Sequence, residues 1–142
     1  MRRVVVTGIG LLSSIGSGYK DTWNNLINGK SGIKKINKFN TEGYSCKIAG
    51  YISNNEKDHN YFDISAHLEQ RDIKRNDRFI QYGIVAAKMA VEDAGIQDLS
   101  DEDKLKTGVI VGSGIGGLET IYDGSLTIKE NGPRRLSPFF IP

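Results

Sequence analysis

Two short runs of β-branched residues, each followed by a glycine-rich turn, constrain the fold of this chain more than any other feature. Val4-Val5-Val6 leads into Gly8-Ile9-Gly10, and Val109-Ile110-Val111 leads into a longer glycine-rich segment. Apolar residues on both faces are typical of a central strand that is covered on both sides. The runs therefore predict strands over Arg3–Thr7 and Thr107–Gly112 within a layered α/β domain.

The rest of the pattern predicts three helices and one further strand. Helices are expected over Tyr19–Asn28, Asp77–Ala94 and Leu118–Lys129, and the strand over Lys47–Ile52, with Ile48 and Tyr51 buried. Either Asn76 or Asp77 can cap the N-terminus of the second of these helices. The long helix has an aliphatic face and a small-residue stripe, which indicates burial on two sides and the close approach of another backbone; the stripe comprises Gly83, Ala86, Ala90 and Ala94. Three strands are few for a typical sheet of about five or six, so an incomplete sheet is expected.

Length, charge and composition exclude several classes of protein. The 142 residues suit one domain over 1–142, and 19 basic against 17 acidic residues leave a net charge too small to indicate nucleic-acid binding. The apolar runs are much shorter than a membrane span of about 18 residues. No secretory signal follows Met1, and a single cysteine excludes an internal disulfide. We therefore expect a cytoplasmic protein.

A glycine motif after the last predicted strand has two interpretations. Gly112–Gly117 reads G-x-G-x-x-G between a predicted strand and a predicted helix, which is the context of a dinucleotide-binding site. Such a site also needs an acidic residue at the end of a second strand about 20 residues later, and Gly132–Leu136 offers neither. We favour a tight structural turn; a dinucleotide-binding module is the alternative, and no cofactor is predicted.

The residues most often found in catalytic or metal sites form no convincing set. Cys46 has only Lys47 beside it, which would point to the opposite face of a strand, so we expect an inert, buried or half-buried thiol. His59 and His67 are eight residues apart, which is not a usual metal-ligand spacing. They are interpreted as surface histidines. The segment Asn54–Asp63 is expected to be a polar surface loop.

Six motifs nevertheless occur in the same order, and at similar spacing, in a known enzyme family. They are Arg3–Gly10 (RVVVTGIG), Ser31–Ile33 (SGI), Arg78–Tyr82 (RFIQY), Glu92–Gly95 (EDAG), Gly112–Gly117 (GSGIGG) and Gly132–Pro142 (GPRRLSPFFIP). Together they resemble the N-terminal part of the β-ketoacyl-acyl carrier protein synthases. The resemblance is closest to the synthase II branch of bacterial fatty-acid elongation.

The resemblance implies a thiolase-like layered α/β fold, of which this chain is the N-terminal portion, and a homodimer. It also implies an acyltransferase that performs a decarboxylative Claisen condensation. A cysteine takes the acyl group from acyl carrier protein as a thioester. Malonyl-acyl carrier protein then loses carbon dioxide, and the resulting carbanion attacks that thioester, aided by two histidines. The partner is therefore acyl carrier protein carrying acyl and malonyl groups.

The resemblance implies a role for two residues of this chain. The family's catalytic residues lie outside it. Ile115 matches a residue at the acyl-chain pocket that controls entry of the chain, and Phe140 matches one that reaches the acyl pocket of the partner subunit. The family's nucleophilic cysteine and both histidines lie beyond this region, so we expect the isolated chain to be inactive. A non-catalytic ketosynthase-like chain-length factor is the alternative. The apolar segment Phe139–Ile141 also predicts self-association.

Overall fold

The computed structural model describes residues 2–58 and 60–140. Helices and strands are short except for two helices in the second half of the chain. The α-helices are α1 (Tyr19–Ile27), α2 (Gln70–Arg75), α3 (Arg78–Ala94), α4 (Asp101–Leu105) and α5 (Leu118–Asn131), the strands are β1 (Ile33–Lys35) and β2 (Ile48–Gly50), and 3₁₀ turns lie at Ile64–Ala66 and Pro133–Arg135. No helix in the described ranges is long and apolar enough to cross a bilayer.

The three predicted helices are confirmed as α1, α3 and α5, with ends within two residues of the predicted ones. Each has the periodic apolar residues from which it was predicted. The short helices α2 and α4 were missed because each has five or six residues with a single apolar one, which defines no apolar period. In α4 the local signal is a cap, since the Ser100 side chain accepts a hydrogen bond from the Asp103 amide.

The described strands form one antiparallel pair. Ile33 lies opposite Gly50, and Lys35 lies opposite Ile48. Strand β2 confirms the centre of the strand predicted over 47–52, whereas β1 was not predicted. Ile48 was expected to be buried and is exposed, because the pair has no further layer over that face; Tyr51 is half-buried.

The two β-branched runs that predicted central strands are irregular in the structure, so those strand predictions are wrong for the described chain. Val4 is 91% exposed and Ile110 is 98% exposed, the opposite of a doubly covered strand. A strand forms only when a neighbouring strand satisfies its backbone hydrogen bonds. No described residue pairs with either segment in a ladder.

Contacts group the chain into two units, and apolar burial is sparse in the described part of both. The first unit comprises Met1–Asp63 with Ala86–Gln97, and the second comprises Ile64–Val85 with Asp98–Pro142. Leu68 and Val85 are the only apolar side chains that count as buried among the described residues. The expectation that both faces of α3 are buried is therefore wrong for most of its aliphatic face.

In the first unit, the glycine pair Gly8 and Gly10 lies directly against the backbone of α3. A Cβ atom on Gly8 would come within 2.6 Å of the Ala94 nitrogen, and one on Gly10 within 2.7 Å of the Ala90 nitrogen. The Ile9 amide between them donates a 2.9 Å hydrogen bond to the Asp93 carboxylate. The predicted close approach of a backbone to the small-residue stripe is confirmed at its second half, where no side chain could fit between the two.

A polar cluster, rather than an apolar core, holds residues 53–58 and 60–61 in the first unit. Asn60 is 1% exposed, and its amide group donates to the carbonyls of Ser14 at 2.9 Å and Tyr51 at 2.6 Å. The Lys34 ammonium bonds both the Asn60 side-chain oxygen and Asp58. The expectation of a surface loop is therefore wrong at Asn60, because every polar group of its side chain has a partner within the protein.

Substitution of Gly10 tests the backbone contact with α3. We expect Gly10→Ala to lower the free energy of unfolding by about 2 kcal/mol, because the added methyl group overlaps helix backbone that cannot rotate away. Urea denaturation followed by circular dichroism measures the change. The matched control is Gly83→Ala in α3, where no atom lies within 4 Å and alanine should raise stability by about 0.5–1 kcal/mol. Equal changes in the free energy of unfolding for the two variants would contradict the close contact between Gly10 and α3.

Removal of the Asn60 side chain tests the polar cluster. Asn60→Ala removes the amide group that donates to the Ser14 and Tyr51 carbonyls and one of the two acceptors of the Lys34 ammonium, which keeps Asp58, so we expect a loss of about 3 kcal/mol in the free energy of unfolding. Asn131→Ala, at an exposed position, should change stability by less than about 0.5 kcal/mol. A loss at Asn60 no greater than that at Asn131 would show that the cluster does not stabilise the fold.

Candidate functional site

The candidate site is an open cavity of about 450 Å³ in the second unit. This volume lies within the range of about 300–1,000 Å³ that is usual for small-molecule sites. Its floor is mostly apolar and one rim is basic; it is lined by Lys74, Arg75, Asn76, Asp77, Phe79, Ile80, Gly117, Thr120, Ile121, Ser137, Phe139 and Phe140.

Two phenylalanines after the second 3₁₀ turn form one wall of the cavity. The Phe140 ring lies so close to Gly124 of α5 that a Cβ atom there would come within 3.0 Å of ring atom Cδ2. The Arg75 guanidinium of α2 stacks over the Phe139 ring with its carbon 5.0 Å from the ring centroid. The glycine in α5 therefore makes room for Phe140, and a cation–π contact holds Phe139 at the basic rim.

Asp77 connects the beginnings of two helices at the cavity. Its carboxylate accepts from the Phe79 amide in the first turn of α3, so Asp77, one of the two predicted candidates, caps that helix. The same carboxylate accepts from both the amide and the hydroxyl of Thr120 in the first turn of α5. A negative charge is therefore placed at two helix N-termini, where the unpaired amides and the helix dipoles favour it.

These contacts determine the protonation of Asp77. Partial burial raises the pKa of its carboxyl group, whereas hydrogen bonds from the Thr120 hydroxyl and from the amides of Phe79, Thr120 and Arg78 lower it. The hydrogen bonds outweigh burial, so the pKa lies below the ordinary value for aspartate. The carboxylate is ionised at neutral pH and acts as a fixed anion between the two helices.

The second half of the glycine motif rests on the beginning of α3. Gly116 has a φ of 73°, a left-handed conformation that side chains rarely adopt, and a Cβ there would touch the Phe79 ring at 3.4 Å. A Cβ on Gly117 would lie 3.1 Å from the Asp77 carboxylate. The predicted tight turn is thus confirmed at these two glycines, and the strand that a dinucleotide site would need before it is not formed in the described residues.

Of the two residues predicted to lie at the acyl pocket, one lines the cavity and the other does not. Phe140 lines the cavity and is half-buried. Ile115 is 74% exposed and is not among the lining residues, so the described structure does not bring the two side chains to one pocket.

Other predicted features give mixed outcomes. The expectation that Cys46 is buried or half-buried is wrong, because the residue lies in the exposed segment that precedes β2. Its thiol donates to the Ile48 carbonyl at 3.3 Å. His67 is exposed, as expected, and His59 lies outside the described residues. Ile141, in the segment predicted to self-associate, also lies outside them.

The sequence indicated Asp77 only as one of two possible helix caps, with Asn76 as the other, and did not indicate its contact with α5. The signal available in the sequence is the local one, a polar residue just before the apolar period of α3. Its second partner, Thr120, lies 43 residues further along the chain, and no local pattern predicts such a contact.

Comparison with known proteins gives consistent matches along the whole chain. The family model described as "Beta-ketoacyl synthase, N-terminal domain" matches residues 1–142. A protein of Staphylococcus aureus (strain N315) named 3-oxoacyl-[acyl-carrier-protein] synthase 2 is 45% identical over 99% of this chain and 32% of its own length. The protein of that name from Rhizobium meliloti (strain 1021) is 44% identical over 100% of this chain and 34% of its own.

A solved structure agrees with these matches. The structure titled "The ishigamide ketosynthase/chain length factor" has a TM-score of 0.72 and 30% sequence identity to this chain. The match covers 98% of this chain and 33% of the other. The chain therefore spans about a third of the length of each protein that it matches.

The double role of Asp77 predicts a pH-dependent contribution to stability. Because its pKa is lower in the folded state than in the unfolded chain, the carboxylate stabilises the fold above about pH 4, the usual aspartate pKa, and this contribution is lost as the pH falls through the folded value. We expect Asp77→Asn to be less stable than the unsubstituted chain at pH 7 and equally stable at strongly acidic pH. Urea denaturation at a series of pH values measures both.

Asp98→Asn is the control for this titration, since Asp98 is exposed. It should leave the dependence of stability on pH nearly unchanged. A constant difference in stability between Asp77→Asn and the unsubstituted chain, at every pH down to the strongly acidic end, would contradict the proposed charge at the helix termini.

Proposed function

Because the chain belongs to the β-ketoacyl synthase family through its N-terminal domain, we propose that it forms the N-terminal segment of a 3-oxoacyl-[acyl-carrier-protein] synthase 2. The predicted α/β fold of the thiolase-like ketosynthase type is confirmed by the family match and by the likeness to a solved ketosynthase structure. The observation that carries the proposed function is the identity of about 45% to proteins of that name along the whole chain.

The proposed reaction elongates an acyl chain by two carbons. An enzyme cysteine takes the acyl group from the thiol of acyl carrier protein, which leaves as the free thiol. Malonyl-acyl carrier protein loses carbon dioxide, and the carbanion attacks the acyl-enzyme carbonyl. The carbon–sulfur bond to the enzyme then breaks, which restores the cysteine and releases 3-oxoacyl-acyl carrier protein. The proposed partners are acyl carrier protein and a second copy of the enzyme, and the proposed compartment is the cytoplasm.

The role proposed for this segment is binding rather than bond making. Ile115 is proposed to contact the acyl chain and control its entry, and Phe140 to contribute to the acyl pocket of a partner subunit. The apolar floor of the cavity beside Phe140 is chemically suited to a hydrocarbon chain. Cys46, exposed in a loop before β2, is proposed to have no part in the reaction.

A non-catalytic chain-length factor is the second candidate, because the matched solved structure carries that term in its title. Such a protein would share this segment and lack the nucleophile. The residue encoded at the family's nucleophile position in the source gene distinguishes the two. A cysteine there supports the condensing enzyme, and any other residue supports the chain-length factor.

A hybrid enzyme tests the proposed function directly. Residues 1–142 replace the corresponding third of the Staphylococcus aureus relative, and condensation of acyl- with malonyl-acyl carrier protein is measured. We expect the hybrid to be active and the 142-residue chain by itself to form no acyl-enzyme. A folded but inactive hybrid, or an acyl-enzyme on the isolated chain, would contradict the proposal.

The hybrid also tests the role proposed for Ile115. Ile115→Phe enlarges the side chain at the proposed entrance, so we expect kcat/KM for long acyl chains to fall about 10- to 100-fold, with short chains affected much less. The control is Ile128→Phe, an exposed position in α5 that does not line the cavity. An equal loss for long and short chains would show that Ile115 does not select by chain length.

A further inference from the structure

We propose that Asp77 is a positioning residue for acyl-chain selection, which holds the Gly116–Gly117 turn and thereby fixes Ile115. The inference rests on the proposed function of Ile115, and it concerns the hydrogen bonds by which Asp77 acts on the turn. It begins from the geometry at the start of α3 and α5.

The contacts that support the turn come from residues 77–79. The Asp77 carboxylate accepts from the amide and hydroxyl of Thr120, three residues after Gly117, and it lies where a Gly117 side chain would be. The Phe79 ring supports Gly116 in its left-handed conformation. The start of α3 therefore fixes both glycines of the turn.

The first half of the motif has no comparable support. No atom lies within 4 Å of the position of a Cβ on Gly112 or on Gly114. Ile115 follows them and is 74% exposed, so little side-chain packing holds it. Its position is therefore set mainly by the adjoining Gly116–Gly117 backbone, and through that backbone by Asp77.

The charged groups around Asp77 leave the carboxylate in place as a fixed anion. Lys74 and Arg75 of α2 line the same cavity, and Arg78 lies 4.0 Å from Glu119 at the start of α5. Hydrogen bonds, rather than these charges, lower the pKa of the Asp77 carboxyl group against the effect of burial. Hydrogen bonds act over shorter distances than these charges and also fix the direction of the contact. The bonds from the first turns of α3 and α5 therefore make Asp77 suited to position the turn.

The first experiment measures the turn itself by NMR of the labelled 142-residue chain. We expect Asp77→Ala at pH 7 to shift the Ile115 methyl and Gly116 amide signals and to speed hydrogen exchange of the Thr120 amide about tenfold, with Val91 unchanged. Asp77→Asn, which keeps one acceptor oxygen, should show smaller shifts. Unchanged Ile115 signals in Asp77→Ala would overturn the inference even if the Thr120 amide lost protection.

The second experiment uses the hybrid enzyme and separates positioning from a general loss of stability. We expect Asp77→Ala to reduce the ratio of kcat/KM for long over short acyl chains roughly fivefold, with Asp77→Asn restoring most of the ratio. Equal losses for all chain lengths would overturn a role in selection. Inactivity of the unsubstituted hybrid would count against the proposed function alone, because the NMR result decides the position of Ile115 independently.

Discussion

The arrangement of the first unit depends on a contact between backbones. Gly8 and Gly10 lie against the alanine stripe of α3 at distances that exclude even a methyl group. Few apolar side chains are buried in the described residues. The segment before α1 is therefore held against this helix by the close fit of the two backbones rather than by buried apolar area. The hydrogen bond from Ile9 to Asp93 then sets the register along the helix, because an amide has one direction in which to donate.

The second unit is organised by a charge instead. One carboxylate, Asp77, caps α3 and also accepts from the first turn of α5, so the two helices begin at one point. The cavity beside this point combines an apolar floor with a basic rim. In the proposed condensing enzyme, that combination brings an acyl-binding surface next to the turn that carries Ile115. In that proposed enzyme, backbone geometry and acyl-chain selection would depend on the same few hydrogen bonds.

The least expected property of the structure is how much β-branched sequence is exposed. Residues 4–6 and 109–111 have the composition of buried central strands, yet they are irregular and open. A helix satisfies its own backbone hydrogen bonds, whereas a strand depends on a neighbour. The described residues offer these two segments no neighbour, and composition by itself cannot supply one.

The sequence by itself determined the three longer helices, the close approach along the alanine stripe and the family, because each is encoded by local residues or by an ordered set of motifs. It narrowed the cap of α3 to Asn76 or Asp77, and the structure identifies Asp77. Only the tertiary structure decided the rest. The β1–β2 pairing, the hydrogen bond from Asn60 to Ser14 and the one from Thr120 to Asp77 join residues far apart in the chain. These contacts form only when folding brings the two groups within hydrogen-bond distance. No local sequence pattern predicts which distant groups will meet.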